Sequence, residues 1–383
     1  MRVLHLFADW KWTGPAEPVV SLCLALRARG HEVWLDCPAS PPEASGSLPA
    51  KARERGLEPL SGLYLRPGVH PFEIRSDRFE LTEWLDAHAP DVVHVHTSHD
   101  HLVAALAARR AKKAPKVVRT NHKGVPLTPG WGNRWLMART DGLLGFSRRA
   151  LDADVRAFGL RPELARLVPA AVDLARFDPA KADPAAGRAA LGLAPDDVVV
   201  GIVARIQRHR KWRELLEGLV LARRFVPRLR LVVVGRGTHR EEAAIRPARE
   251  MGLGDAVVFA GYRGDDYLDV LAAFDLKAFL VPGSDGTCRA VREAMAMGKP
   301  VVAARTGMLP ELVEDGRTGL LAEPLPGDLA LAFRRLGGDV ALRERMGRAG
   351  REKALAEFQL EKQAVAVEEA YTVVTQAQAR MAN

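Results

Sequence analysis

Short apolar runs alternate with segments of helical periodicity along most of this chain, and this alternation constrains its fold more than any other feature. In the first half, the apolar run RVLHLFA is followed by the helical segment PVVSLCLALRARG and then by the apolar run HEVWLDC. A strand, a helix and a strand within about 35 residues form a βαβ unit, which requires a parallel sheet. Further strands are predicted at DVVHVHT, KVVRTNH and GLLGFS, and residues 38–49 are predicted to form an irregular loop.

A segment rich in proline, alanine and aspartate covers residues 172–187, and the alternation restarts after it. Strands are predicted at VVVGIVAR, LRLVVVG, AVVFAG, LKAFLVP and PVVAAR. The pattern predicts an α/β protein with two doubly wound domains that face each other across a cleft, and 383 residues suffice for two cores. We expect the domains at residues 1–175 and 176–360, with a C-terminal helix at 361–383 that packs back on the first domain.

Composition narrows the functional class. Hydrophobic residues make up 48% of the chain and charged residues 27%, as in ordinary water-soluble proteins. No stretch approaches about 18 consecutive apolar residues, which argues against a membrane-spanning helix. The N-terminal apolar run is too short for a secretion signal, and the three cysteines lack metal-site or disulfide spacing. We therefore expect a cytoplasmic protein.

Positive charge is concentrated in two places. The net charge is +9; residues 109–123 contain seven Lys or Arg and residues 205–213 contain five, in both cases without an acid. Such clusters attract phosphate groups of nucleotides, anionic lipids or nucleic acids. For the first cluster, a solvated helix end and a patch that contacts an anionic membrane both remain open, whereas nucleic acid is disfavoured.

The segment GSDGTCRAVREAMAMGKP places Asp285 in a glycine-rich turn and Glu293 eight residues later. Apolar residues recur at helical spacing, and Gly298 stands where a helix would end. The segment therefore predicts a turn, a short helix and a stop. Free amides at the start of that helix suit a phosphate or sugar oxygen, and two nearby acids suit hydroxyl groups. This combination suggests a nucleotide sugar.

Several segments together resemble one family across nearly the whole chain. TGPAEPVVSLCLALRARGHEV, VPAAVDLARFDP, GIVARIQRHRKW and the long segment from AFLVPGSDGTCRAVREAMAMGKP onward are similar to retaining GT-B glycosyltransferases of family 4, also called glycosyl transferases group 1. Four positions depart from the family pattern. Pro15 replaces the second glycine of the first loop, Ala170 and Ala171 replace Asn-Gly, and Asp285 replaces Glu, which keeps the carboxylate but shortens its reach.

The resemblance implies roles for individual residues. Arg205 and Lys211 would bind the diphosphate, Asp285 the hydroxyls of the transferred sugar, and Glu293 the ribose. The alternative for Glu293 is a surface pair with Arg289. Further donor contacts are expected from a set of small residues that offer backbone access: Gly14, Gly286, Thr287 and Cys288.

On the acceptor side, the resemblance places His122 near the reacting sugar and His96 along the cleft. Trp12 either stacks on the acceptor or packs internally. His122, Arg205, Lys211 and Asp285 are thus the expected catalytic residues.

Other sequence patterns are weaker evidence for a functional site. His94, His96, His99 and His101 invite a metal site, yet two of them alternate on a predicted strand. Asp152 and Asp154 lie in a predicted helix, and Gly235 and Gly237 lack the third glycine of a dinucleotide fingerprint. We therefore expect neither a metal nor a cofactor, and no dehydrogenase.

The sequence thus predicts a metal-independent, retaining, hexosyltransferase-like glycosyltransferase that uses a nucleoside-diphosphate sugar. A glycan or a lipid-linked acceptor is expected, in cell-envelope glycan or lipopolysaccharide synthesis, with peripheral contact at the inner face of the cytoplasmic membrane. Two alternatives remain: a catalytically silent sugar-nucleotide-binding or scaffold protein, and a nucleotide-sugar 2-epimerase. The sugar, the base and the acceptor are not specified by the sequence.

Overall fold

The computed structural model describes residues 1–44, 46–68, 70–281 and 288–379. Packing divides these residues into two compact units. Unit 1 contains Met1–Ala171 together with the helix that begins at Leu360, and unit 2 contains residues 172–281 and 288–359.

Unit 1 is built on a parallel sheet. In the part of the chain that the structure describes, this sheet has six strands in the order β2-β1-β3-β4-β5-β6. The strands are β1 (Arg2–Leu6), β2 (Glu32–Asp36), β3 (Val92–Val95), β4 (Lys116–Asn121), β5 (Gly142–Gly145) and β6 (Ala165–Leu167). The helices are α1 (Ala16–Ala28), α2 (Leu48–Glu54), α3 (Pro71–His88), α4 (Ser98–Ala107), α5 (Trp131–Met137), α6 (Arg148–Phe158) and, at the end of the chain, α15 (Leu360–Ala379).

Both faces of this sheet are covered. On one face, Val3, Val118 and Leu144 pack with residues of α1 and with Val367 and Tyr371 of α15. On the other face, alternate residues of the same strands pack against α3 and α4. Because side chains alternate along a strand, every residue that shares parity with Val3 on β1 points toward α1 and α15. This rule determines where the histidines of β1 and β3 lie.

Unit 2 repeats the architecture, and six of its described strands form a parallel sheet in the order β12-β11-β10-β7-β8-β9. The strands are β7 (Val198–Val203), β8 (Leu229–Val234), β9 (Val257–Gly261), β10 (Leu276–Phe279), β11 (Val301–Ala304) and β12 (Gly319–Ala322). The helices are α7 (Pro184–Ala190), α8 (Trp212–Arg223), α9 (Arg246–Glu250), α10 (Tyr267–Ala272), α11 (Arg289–Ala296), α12 (Leu309–Leu312), α13 (Pro326–Gly338) and α14 (Val340–Glu357).

The two sheets confirm the predicted doubly wound α/β fold. The structure adds α3, an 18-residue helix in a region where the sequence pattern predicts no element. The loop predicted at residues 38–49 is shorter than expected, because Ser47 caps α2 by accepting a hydrogen bond from the amide of Ala50.

The basic run at residues 109–123 does not form one surface. Its first four cations are exposed where α4 ends, as the helix-end interpretation predicts. Arg119 is buried, and its Nη1 donates to Nδ1 of His101 over 2.7 Å. Lys123 is exposed beyond the other end of β4, which at six residues spans about 20 Å.

Two glycines of α14 differ sharply in the space around them. A Cβ on Gly347 would lie 2.0 Å from the carbonyl oxygen of Gly298, whereas a Cβ on Gly350 would make ordinary contacts of 3.7 Å or more with Met295. We expect Gly347→Ala to lower the free energy of unfolding by about 1–3 kcal/mol because α14 must move away from the end of α11. Gly350→Ala is the matched control and should raise it by about 0.5–1 kcal/mol. Urea unfolding measures both, and a similar change in the two variants would contradict the packing described.

Candidate active site

A loop of unit 2 that carries the predicted phosphate-binding cations is held in place by close backbone contacts. After β7, the amides of Ala204 and Ile206 donate to the carbonyls of Val234 and Arg236 over 3.0 and 2.9 Å. A Cβ on Gly235 or Gly237 would lie 2.0 Å from the carbonyl oxygens of Ala204 and Ile206, respectively. These two glycines therefore serve to let the loops after β7 and β8 touch, which is a different role from a dinucleotide fingerprint.

The cations of this loop point in different directions. Arg205 is exposed, and among the residues that the structure describes it has no carboxylate within ion-pairing distance. Arg210 is buried, and its Nη1 donates to the carbonyl of Val281, at the end of β10, over 3.1 Å. Burial and the neighbouring Arg205 lower the pKa of the Arg210 guanidinium. Arg210 thus ties the loop after β7 to the end of the adjacent strand, whereas Arg205 is exposed.

Lys211 immediately precedes α8 and has a left-handed backbone, with φ of 59°. Its Nζ lies 2.7 Å from Oε1 of Glu214, one turn into the helix. The side chain remains 46% exposed. Lys211 is therefore accessible, but its charge is shared with a carboxylate of its own helix.

Glu293 lies on α11, which follows β10, and its carboxylate is buried although the residue is charged. Oε2 accepts a hydrogen bond from the hydroxyl of Tyr267 over 2.6 Å, and Oε1 lies 3.4 Å from Nε of Arg289. Burial and the nearby Glu293 charge raise the pKa of the Tyr267 phenol well above its usual value. The expected alternative, a pair with Arg289, is thus present, but it belongs to a buried and fixed carboxylate rather than to a solvated helix face.

The turn before α11 is described only in part. Asp285, Gly286 and Thr287 lie outside the described residues. Cys288 is buried, with φ of 53°, directly before the first residue of the helix. The helix ends as predicted, because Gly298 has φ of 67° and its amide donates to the carbonyl of Met295.

In unit 1, a chain of histidines occupies the sheet face that packs against α1 and α15. His5 of β1 pairs in register with His94 of β3, so both side chains point to the same face as His96. Nδ1 of His5 lies 3.0 Å from Nε2 of His96, and Nδ1 of His96 lies 3.0 Å from Nε2 of His122, which follows β4. The structure therefore joins the predicted residues His96 and His122, and it adds His5.

His94 has its own partners. Its Nδ1 lies 2.6 Å from the hydroxyl of Tyr371 on α15, and its Nε2 lies 2.6 Å from Oγ1 of Thr120. Ligand atoms of His5, His94 and His96 come within 4.8 Å of one another, as a metal site would require. However, both nitrogens of His94 already have hydrogen-bond partners. The hydrogen-bonded arrangement thus accounts for this cluster.

The first loop of unit 1 borders a cavity of about 530 Å³ at the carboxyl ends of β1 and β3. The residues that line it include Phe7, Thr13, Pro15, Thr97 and His99. Its lining is mostly apolar, with a few hydroxyl groups, one imidazole and the acid Asp9.

Two residues that the sequence analysis assigns to the site, Trp12 and Gly14, lie in this first loop. Trp12 is partly buried against the core beneath α1, and the guanidinium of Arg55 lies 5.0 Å from the centre of its ring. The packing interpretation is thus present in the structure, and contact with an acceptor stays a prediction. Gly14 precedes Pro15. The amide of Ala16 donates to the carbonyl of Thr13, and Pro15 and Pro18 have no N–H group. Few amides therefore remain free at the start of α1.

Asp154 shows why the Asp152–Asp154 pattern is not a metal site in the described structure. Asp154 is buried and accepts hydrogen bonds from the amide of Leu127 over 2.7 Å and from Nδ2 of Asn121 over 3.1 Å. It holds the loop that follows β4, which carries His122. The sequence offers no sign of this role beyond a single acid in an amphipathic helix.

Lys277, on β10, is fully buried, and burial lowers the pKa of its ammonium to about 7, while the charge of Glu293 acts in the opposite direction. The unfolded chain regains the ordinary pKa of 10.5, so between about pH 7 and pH 10.5 it binds a proton that the folded chain does not. The free energy of unfolding therefore rises with pH in this range, and the cost of burying Lys277 is fully present below pH 7.

We expect Lys277→Met to be more stable than the parent protein at pH 6, with an advantage that shrinks as the pH approaches 10. Methionine has a similar shape and cannot bind the proton. Urea unfolding of both proteins at pH 6, 8 and 9.5 provides the measurement. An advantage independent of pH would show that Lys277 is not neutralised by burial.

Comparison with known proteins assigns both units to one family. Residues 185–353 match the family model described as Glycosyl transferases group 1, and residues 13–176 match the model described as Glycosyltransferase Family 4. HepE from Anabaena, solved in complex with UDP and glucose, superposes with a TM-score of 0.79 at 21% identity, over 97% of this chain and 99% of that one. This likeness confirms the GT-B fold.

Curated relatives are closer in sequence. A D-inositol 3-phosphate glycosyltransferase from Nocardia farcinica is 33% identical over 276 residues, which cover 70% of this chain and 58% of that protein. The chain spans about half the length of several such relatives. The protein of the same name from Actinosynnema mirum is 31% identical over 363 residues, which cover 85% of this chain and 84% of that protein. The chain therefore belongs to the family 4 glycosyltransferases.

Proposed function

We propose that this protein transfers a sugar from a nucleoside-diphosphate sugar to an acceptor hydroxyl, with retention of the anomeric configuration. One observation supports this most directly: the exposed Arg205 and the buried Glu293 follow adjacent strands, β7 and β10, at the carboxyl edge of one parallel sheet. Nucleotides bind at this edge in doubly wound sheets. The complexes of HepE with UDP agree with such a donor.

The chemistry follows from the charges. Cleavage of the bond between the sugar and the diphosphate builds negative charge on the leaving group. A guanidinium and an ammonium fixed in a loop stabilise that charge more in the transition state than in the ground state. Arg205 and Lys211 supply these groups. Because they are permanent cations of the protein, we propose that the reaction needs no metal ion and no cofactor.

Two carboxylates are proposed to hold the hydroxyl groups of the donor, Glu293 those of the ribose and Asp285 those of the transferred sugar. Glu293 is held by Tyr267, so its remaining lone pairs are directed in a fixed way and suit the two hydroxyls of a ribose. We propose that Asp285 binds hydroxyls of the transferred sugar and that amides of Gly286, Thr287 and Cys288 contribute further hydrogen bonds. Gly14 would give the diphosphate close access to the first loop.

Retention without a protein nucleophile requires the acceptor to attack from the side that the diphosphate leaves. The leaving phosphate then accepts the acceptor proton, and His122 contacts the donor sugar or the acceptor. We place the acceptor beside unit 1, where the cavity lined by Phe7, Thr13 and His99 offers apolar surface with a few hydroxyl groups. Such a lining suits a glycan or a lipid-linked sugar.

The donor is identified by a panel of UDP-, GDP- and ADP-sugars, with binding measured by calorimetry and slow hydrolysis followed by NMR. With the preferred donor, Arg205→Ala and Lys211→Ala should each raise the Kd about tenfold, because each removes a charged hydrogen bond to phosphate. Each should also lower the turnover rate about 100-fold, since charge stabilisation is lost where the leaving group forms. The sugar released first should keep the anomeric configuration of the donor.

Arg213→Ala is the matched control. Arg213 belongs to the same basic run, but it lies on α8, with its Nε 2.9 Å from Oε1 of Glu217. It should bind and turn over within about twofold of the parent protein, as expected for an exposed helix pair. Equal losses of donor affinity and turnover rate in all three variants would contradict the proposed site. Tight binding without hydrolysis or transfer would identify a silent sugar-nucleotide-binding protein, and inversion would exclude retention.

We also propose a cytoplasmic location with peripheral contact to anionic membrane through the cations at residues 109–113. None of the helices in the described part of the chain is long and apolar enough to cross a membrane. Each exposed Lys or Arg contributes about 1 kcal/mol at an anionic surface, and salt screens this attraction. We expect anionic liposomes to retain the protein at low salt, and the double variant with Arg109→Glu and Arg110→Glu to be released. If the liposomes bind neither protein, or bind both equally, the proposed membrane contact is contradicted.

A further inference from the structure

The carboxylate of Glu293 is bound by a phenol from another helix of unit 2. Tyr267 is the first residue of α10, whereas Glu293 lies on α11, 26 residues later in the chain. The Tyr267 hydroxyl donates a hydrogen bond to Oε2 of Glu293 over 2.6 Å. The sequence pattern assigns no role to Tyr267, because a contact across such a separation exists only in the folded chain. The structure thus adds a second residue to the carboxylate that the proposed function assigns to the ribose.

The Tyr267 ring is itself held in place. It packs edge-on against Phe177, a buried residue of the same unit, with the ring centres 6.1 Å apart and the ring planes at 84°. Burial and the charge of Glu293 raise the pKa of the Tyr267 phenol well above its usual value, so the hydroxyl keeps its proton at neutral pH. A protonated phenol has one O–H to donate. Tyr267 therefore offers Glu293 a single donor from a fixed position.

Two partners fix the plane of the Glu293 carboxylate. The terminal torsion of a glutamate is broad, so the side chain alone does not set this plane. Tyr267 holds Oε2, and Nε of Arg289 lies 3.4 Å from Oε1. No other side chain in the described part of the chain lies within hydrogen-bond or ion-pair distance of this carboxylate. Since each oxygen has about two acceptor positions, at least one position remains on each.

The remaining acceptor positions suit a particular ligand group. Two positions side by side, one on each oxygen, match two hydroxyl donors on adjacent carbons, and a ribose carries such a pair at its 2′ and 3′ carbons. About a tenth of the Glu293 side chain, 9%, stays accessible. A carboxylate turned out of its plane would still accept from one hydroxyl but would lose its alignment with the second. The residue that holds the plane should therefore affect binding of the ribose hydroxyls rather than of the phosphates.

We propose that Tyr267 is a positioning residue that makes the nucleotide site select ligands with both ribose hydroxyls. By holding Oε2, it keeps the Glu293 carboxylate in the plane in which each oxygen accepts from one hydroxyl. This inference rests on the proposed function, which assigns the ribose to Glu293, and it adds the residue on which the selectivity depends. Tyr267 acts through Glu293 rather than by contact with the nucleotide.

The alternative is a purely structural role, in which Tyr267 only satisfies a buried carboxylate and joins α10 to α11. Loss of its hydroxyl would then lower the free energy of unfolding and weaken the binding of every nucleotide by the same factor. A positioning role instead predicts a loss that is confined to nucleotides with ribose hydroxyls. The two roles therefore differ in how the effect depends on the ligand.

Calorimetry with nucleoside diphosphates makes this comparison and requires no turnover. UDP, GDP and ADP are titrated first, and the one that binds most tightly is compared with its 2′,3′-dideoxy form. In the parent protein, we expect the Kd of the dideoxy form to be about 30-fold higher, because hydrogen bonds to a charged group are lost. In Tyr267→Phe, the Kd of the ribonucleotide should rise about tenfold and that of the dideoxy form should not change, so the preference falls to about threefold.

Two further measurements serve as controls. Tyr371→Phe removes another tyrosine hydroxyl with a 2.6 Å contact, to Nδ1 of His94 in the core of unit 1. It should leave both Kd values within about twofold of the parent protein, since it shares no partner with Glu293. In a Glu293→Ala background, Tyr267→Phe should cause no further change, because the carboxylate through which it acts is gone.

Equal weakening of both nucleotide forms in Tyr267→Phe, or no weakening of either, would overturn the proposal. If this variant does not fold, Phe177→Leu loosens the Tyr267 ring but keeps its hydroxyl, and it should lower the preference about threefold; an unchanged preference would overturn the proposal in that case. Binding to the parent protein without discrimination would refute this inference alone. If none of the three nucleotides binds, the proposed function fails together with it.

Discussion

The contact between the loops after β7 and β8 is the constraint on which the proposed donor site depends. Backbone meets backbone there, with glycine at both points of closest approach, so the position of Arg205 is set by main-chain hydrogen bonds rather than by its own flexible side chain. Arg210 adds a second fixed point, because its guanidinium reaches the end of the adjacent strand. An exposed arginine on such a rigid base loses less freedom when it binds phosphate than one on a free loop.

Burial has opposite effects on the charge of ionisable side chains in the two units. In unit 2 it surrounds Glu293 with a phenol and a guanidinium, and it places Lys277 nearby, so ionisable groups are kept close to a carboxylate. In unit 1 it places His5, His94 and His96 in contact on one sheet face and lowers the pKa of each. The first arrangement keeps a buried carboxylate beside groups that donate hydrogen bonds or carry positive charge. The second removes charge from the imidazoles of His5, His94 and His96.

Much of the fold can be predicted from the sequence because parallel strands buried on both faces appear as continuous apolar runs. The helix α3 escapes prediction because few of its residues are buried, and one of these is Asp77, which accepts hydrogen bonds from the amides of Tyr64 and Leu65. Arg205, Lys211 and Glu293 can be found from motif resemblance. His5 cannot, since an isolated histidine in a strand acquires meaning only from the register of β1 against β3. The burial of Lys277 cannot be predicted either, because the rest of its apolar run is typical of a buried strand.

The packing of α15 on unit 1 has a consequence for the order in which the chain matures. Val367, Tyr371 and Val374 fill the same core as Val3 and Val118, so one face of the first sheet stays open until α15 has been synthesised. Contacts separated by more than 200 residues close late and slowly, since they carry a large loop-closure entropy. The second unit, whose described segments lie between residues 172 and 359, can complete its core before α15 has been synthesised. The first unit precedes the second along the chain, yet its core is completed after that of the second.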